Sequence, residues 1–334
     1  MLPIMISHVC RTWRCVALRT PALWRRVTLD SALDMWKERI RRAKACSLDI
    51  RLVPSFTHRS RRGRRQDMAA VQWYMHLVTP HIRRWRSLEI IFNDYAPYLW
   101  NAALSECCSV GKNVQAPLLE ELTLLYRNND DTKEFFLFSN HAPRLRRVTT
   151  DGIKLTFTPS LFGNLTFLDY THHGFTQGYD AAHEVLDILG ICFNLSELRI
   201  LFPYKRPNQN HSPPDLPEVA PVVSAKLVDL QFRVGGPDIP LELMHVATLL
   251  RTPALKRLHL MDVEQQSHAF PNVRAFFSVY AIPRSLRMLY VEGGWYDDRT
   301  LSLILGKPSS LQQLVLKRAR MVTQVIQLLR PQRL

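Results

Sequence analysis

A chain of 334 residues, 46% hydrophobic and 22% charged, has the composition of a globular protein long enough for two domains or one elongated repeat array. No apolar run approaches the length of a membrane span, and the opening from Met1 to Cys10 lacks the charged front and small-residue cleavage site of a secretory signal. The net charge of +15 is unevenly placed: residues 1–65 hold 16 Lys and Arg against 4 Asp and Glu, the remainder 28 against 25, so the basicity belongs to the N-terminal segment and suits an acidic partner there.

The segment Ser7 to Leu18 reads as one helix, with Ile6, Val9, Trp13 and Val16 recurring at three- and four-residue steps. It is too poor in Ser for a transit peptide. Thr20-Pro21 reads as a cap followed by Pro at the first helical position, opening a short turn that carries Leu23 and Trp24. Ser31 and Asp34 suggest a cap for a helix bearing Leu33, Trp36 and Ile40. The alternation Leu48-Asp49-Ile50-Arg51-Leu52 then predicts a strand. The basic stretch HRSRRGRR (His58 to Arg65), within a loop expected near residues 55–66, reads as solvated surface, and nucleic acid is not the expected partner. Six cysteines without C-x-x-C spacing read as free buried thiols in a reducing compartment, cytoplasmic or nuclear.

From about residue 80 a unit recurs: leucine, two residues, leucine, one residue, apolar. It runs through Leu119/Leu122/Leu124, Leu145/Val148/Thr150, Leu165/Leu168/Tyr170 and Leu195/Leu198/Ile200. It continues as Leu227/Leu230/Phe232, Leu255/Leu258/Leu260, Leu286/Leu289/Val291 and Leu311/Leu314/Leu316. Trp85/Leu88/Ile90 and Ala45/Leu48/Ile50 are degenerate earlier copies. Helical periodicity fills the intervals at residues 181–189, 241–250, 300–305 and 322–329. The fold class expected is α/β: an irregular leucine-rich-repeat-like solenoid over residues 31–334, with parallel strands on the concave side and helices on the convex side. The Asn or Cys usual three positions past the last leucine is replaced by Arg127, Ile153, His173, Pro203, Gly235, Val263, Gly294 and Ala319, which predicts irregular connections. Six prolines between Pro203 and Pro221 predict a loop inserted into the array.

Phosphate-cradling glycine loops, zinc-protease helices and nucleophile elbows are all missing, so no catalytic residue, metal or cofactor is expected. Neighbouring side chains on a strand face opposite ways, so His172-His173 and Asp297-Asp298 read as loop or helix-cap features and not as metal sites. Binding remains. Where the repeat leucines point inward, the residues between them point outward. That rule exposes Glu121, Thr123, Arg147, Thr149, Phe167, Asp169, Glu197, Arg199, Asp229 and Gln231. It also exposes Arg257, His259, Met288, Tyr290, Gln313 and Lys317, giving one surface of mixed sign for an unknown protein substrate.

The stretch SHVCRTWRCVALRTPALW, with Val9-Cys10, Trp13 and Leu23-Trp24, resembles the C-terminal half of an F-box. The phrases LDMWKERIRRAKACSLDIRL, PHIRRWRSLEI, APLLEELTL, HAPRLRRV and NLTFLDY, in that order, resemble F-box proteins expanded in mushroom-forming fungi, and the likeness covers nearly the whole chain. The Leu-Pro that opens the F-box pattern lies further upstream of Val-Cys than Leu2-Pro3 does here, so only the later part is matched. The resemblance implies a small all-α partial F-box over residues 1–30. Its Ile6, Val9, Cys10, Trp13, Leu23 and Trp24 would contact the acidic Skp adaptor of an SCF (Skp–cullin–F-box) ubiquitin ligase, while the repeats hold a substrate. The alternative is a repeat scaffold that has lost ligase coupling. Neither reading involves a membrane or enzymatic activity.

Overall fold

A computed structural model describes residues 2–29, 33–54, 61–108, 114–203, 220–266, 268–305 and 310–317. The chain divides into two compact units, Met1–Asn164 and Leu165–Leu334. No helix among the described residues is long and apolar enough to cross a membrane.

The first unit opens with α1 (Leu2–Ser7) and α2 (Arg11–Arg19) in place of the single helix that the periodicity suggests. The break has a local cause. Arg14 Nε donates to the Ser7 carbonyl at 2.9 Å, and Cys10 adopts an extended backbone as N-cap, its Sγ accepting from the Trp13 N–H. Thr20 does not cap the Pro21–Trp24 turn; its hydroxyl donates back to the Val16 carbonyl at 2.8 Å and closes α2. Strand β1 (Arg26–Leu29) pairs in parallel with β2 (Leu48–Leu52), so residues 1–30 are not all-α. Between these strands lies α3 (Leu33–Arg42), with Trp36 and Ile40 buried as expected; Ser31 lies outside the described residues.

Helix α4 (Arg61–Val78) corrects the expected basic loop: residues 55–60 lie outside the described residues, but the chain is helical from Arg61. Strand β3 (Trp85–Ile91), α5 (Leu99–Leu104), β4 (Glu121–Leu125), β5 (Arg147–Asp151) and α6 (Pro159–Phe162) complete the unit. These five strands are parallel, each paired with the next of the five, and Val27, Ile50, Leu88, Leu122 and Val148 share one register position, while Glu134–Phe135 and Lys154–Leu155 form a separate two-stranded ladder. Ala45 is exposed, so the earliest repeat copy keeps only Leu48 and Ile50 in the core.

The second unit repeats this plan with β6 (Phe167–Thr171), β7 (Glu197–Pro203), β8 (Asp229–Gly235), β9 (Arg257–Asp262), β10 (Met288–Glu292) and β11 (Gln313–Lys317). Leu168, Leu198, Leu230, Leu258, Leu289 and Leu314 stand in one register row. Helices α7 (Gly178–Ile191), α8 (Leu241–Leu249), α9 (Val273–Val279) and α10 (Asp298–Leu305) occupy the connections and pack each on the next. They cover the leucine side: Phe232 of β8 meets the rings of Phe276 on α9 and of Tyr280 just beyond it at 5.8 Å. Adjacent strands β7 and β8 flank residues 204–219, which lie outside the described residues, as does the helix expected at 322–329. Each unit is thus consistent with a solenoid-like α/β arrangement.

With the Asn ladder absent, backbone groups just beyond the strands find other partners. Phe92, Tyr126, His172 and Val263 donate to carbonyls of the adjacent strand at 2.8–2.9 Å. Elsewhere a polar side chain takes over. Asn129 ties its own turn to the Gly152 carbonyl, and buried Asp262 accepts three backbone N–H groups.

Candidate interaction surfaces

The N-terminal residues matched to the F-box pattern divide into two sets. Trp24 is buried: its indole Nε1 donates to the Ala17 carbonyl at 2.8 Å and its ring lies 4.4 Å from the Arg42 guanidinium. That contact anchors α2 to α3. Leu23 and Ile6 are half-buried. Val9, Trp13 and Val16, which recur at helical spacing in the sequence, are 68%, 52% and 49% exposed, and Leu18 is exposed as well. Only Ala17 of α2 is buried, at the carbonyl that accepts from the Trp24 indole. Cys10 and Cys15 are exposed too, and only Cys107 and Cys192 fit the expectation of buried thiols. The result is a set of exposed apolar side chains interspersed along the chain with exposed Arg11, Arg14 and Arg19, with no acidic residue before Asp30.

Outward strand positions form a second surface in each unit. In the second unit, parallel register aligns Phe167, Glu197, Asp229, Arg257, Met288 and Gln313 in one row. Asp169, Arg199, Gln231, His259, Tyr290 and Val315 form the next row. These residues are brought together as expected, but most are half-buried because they bind one another. Asp169 takes Arg199 from the adjacent strand at 3.7 Å and also Arg233 from the strand beyond. Arg199 also pairs with Glu197 at 2.7 Å and lies over the ring of Phe167, which is therefore buried rather than exposed. Asp229 holds Arg257 at 2.6 Å and His259 at 3.4 Å, and Lys317 reaches Glu292 at 2.9 Å. Burial lowers the pKa of His259 against the opposing pull of Asp229, so its ring is neutral at pH 7. Arg233 and Glu292, at the C-terminal ends of their strands, belong to this network and were missed because the leucine motif ends before them.

In the first unit Glu121, Thr123, Arg147 and Thr149 sit side by side on β4 and β5. Their neighbours Asp49 and Glu89 are already engaged, by Arg25 and Arg86 and by Arg51 respectively.

We expect Asp169→Asn to cost about 2–3 kcal/mol in urea denaturation, since it strands the largely buried Arg233 guanidinium. A double-mutant cycle with Arg233→Met should recover about 1 kcal/mol or more if the pair is coupled.

Comparison with protein-family models and with curated proteins gives no match. The geometry therefore has to carry the functional reading.

One polar cluster was not foreseen. His172 and His173 follow the end of β6, where strand alternation no longer applies, and both rings turn to Glu184 on α7. Their Nε2 atoms lie 3.2 and 2.9 Å from Glu184 Oε2, and the Thr176 hydroxyl donates to the same oxygen at 3.1 Å. Burial pushes the Glu184 carboxyl up, but the histidine hydrogen bonds outweigh it and hold the group well below the usual carboxylate range. Burial likewise lowers His172, against the pull of Glu184. As expected, His172 and His173 lie in a loop and Asp297 is a helix cap: its carboxylate accepts from the Thr300 N–H and hydroxyl at the start of α10.

Proposed function

We propose that the chain is a non-enzymatic recognition subunit of the F-box type. Its basic N-terminal segment would dock on the acidic Skp adaptor of an SCF ubiquitin ligase, and its strand face would hold a protein target. The observation that carries this reading is the exposure of Val9, Trp13 and Val16 within a segment that has no acidic residue before Asp30. Exposed apolar side chains among like charges are the composition of a protein interface, and Trp is a residue type that often dominates its binding energy. Arg11, Arg14 and Arg19 supply the sign that complements an acidic partner. Leucine-bearing parallel strands with an outward polar face support the second half of the reading.

The test is titration of the full chain with purified adaptor. We expect Trp13→Ala to weaken binding by about 10- to 100-fold while leaving the thermal midpoint unchanged, because the side chain is exposed. Affinity should also fall with added salt. If the wild-type chain does not bind the adaptor at all, the ligase reading fails and the scaffold reading replaces it.

A further inference from the structure

One ring nitrogen from each of His172 and His173 and a Glu184 oxygen lie within 4.8 Å of one another, a donor set that invites a metal ion. The far side of each ring argues against one. The Gly174 N–H donates to His172 Nδ1 at 3.0 Å, and the Phe175 N–H donates to His173 Nδ1 at 3.0 Å. Each Nδ1 therefore presents a lone pair, and the single proton of each neutral ring sits on Nε2, directed at Glu184. A histidine that ligates through Nε2 needs its proton on Nδ1, donated to an acceptor. Here that position faces an amide hydrogen. Protonating either ring meets the same obstacle, since the second proton must also go to Nδ1.

We infer that His172, His173 and Glu184 form an acid-labile clamp, which fastens the 172–176 loop to α7 while the His172 ring is neutral and releases it when that ring takes a proton. The surroundings give it a one-way response. Glu184 on α7, His173 on the same loop and Glu242 on α8 are the charged or titratable groups that act on His172, and Glu242 also accepts the Gly178 N–H at 2.7 Å. The rings of Tyr170 and Phe202 close the remaining sides, and burial pushes the Tyr170 hydroxyl up, so it stays neutral. A released histidine titrates near its ordinary value of about 6.5, whereas the clamped His172 lies lower. The open state thus takes up the proton first, so the clamp is at full strength above about pH 6.5 and weakens as pH falls. The depressed Glu184 carboxyl acts in the same direction, below about pH 4.5.

Two measurements on the full chain test this. Nitrogen-detected NMR at pH 7.5 should find both rings as Nε2–H tautomers. Amide protection at Gly174 and Phe175, normalised to unstructured-peptide rates, should fall about tenfold for each pH unit below about 6.5. In the double variant His172→Asn/His173→Asn, each Asn oxygen still accepts from the amide two residues on but does not titrate, so the acid response should vanish. An Nδ1–H tautomer in either ring overturns the clamp. So does stoichiometric zinc binding by the wild type, or an acid response that survives in the variant. If the variant does not fold, the wild-type tautomers still decide.

Discussion

Gly152→Ala is expected to destabilise the first unit by about 4 kcal/mol or more, seen as an early transition in urea. Gly152 has φ +72°, a conformation that disfavours any side chain. A Cβ there would sit 1.9 Å from the Tyr126 carbonyl oxygen and 2.8 Å from its carbon, so backbone must move. Tyr126 is poorly placed to yield. Its N–H donates to the Asp151 carbonyl at 2.9 Å, and its hydroxyl is bonded to both the N–H and the carbonyl of Ala96. Its ring packs against Phe92 and Trp100. The Gly152 carbonyl in turn accepts from the Trp100 indole at 3.2 Å, so a shift of the turn breaks a buried hydrogen bond as well. Gly190→Ala on α7 is the control: nothing lies within 4 Å of the added carbon, and helix propensity predicts a gain of up to about 1 kcal/mol. A loss below about 1 kcal/mol at Gly152 would show that the turn relaxes freely.

Asp262→Ala should cost the second unit about 3–4 kcal/mol. Its buried carboxylate accepts the N–H groups of Gln265, Gln266 and Gly294 at 2.8, 2.7 and 2.9 Å. Alanine leaves all three donors without this partner, at about 1 kcal/mol or more each. Asp262→Asn retains one acceptor oxygen and should lose about half as much. Thermal denaturation ranks the three proteins, and hydrogen exchange at Gly294 locates the effect. Equal stability of the Asn and Ala variants would mean that the side chain acts only by filling space.

The strands were legible because a period of two with leucines buried on one side leaves few alternatives, and register then follows from the leucines themselves. The N-terminal helix was not. Ile6, Val9, Trp13 and Val16 have the spacing of a packed face, but spacing alone does not distinguish a face turned to the core from one turned to solvent. Nor does it reveal that Arg14 captures the Ser7 carbonyl. Arg-rich composition suggested a loop at residues 61–65, although arginine is a good helix former and the helix extends through it. The His172, His173 and Glu184 cluster escaped because adjacency on a strand was the wrong geometry for residues beyond its end, and Glu184 lies nearly two turns into the next helix. Outward positions could be read one by one, but pairing such as Asp169 with Arg233 crosses 64 residues and needs the register of three strands.

That last pairing constrains how the face can drift. Because Asp169 serves Arg199 and Arg233 together, and Asp229 serves Arg257 and His259, a sign change at either carboxylate is tolerated only with answering changes on neighbouring strands. Substitutions here should be inherited in compensating sets that keep the local charge balanced, leaving Gln231 and Gln313, which lie outside those sets, as positions where variation comes singly.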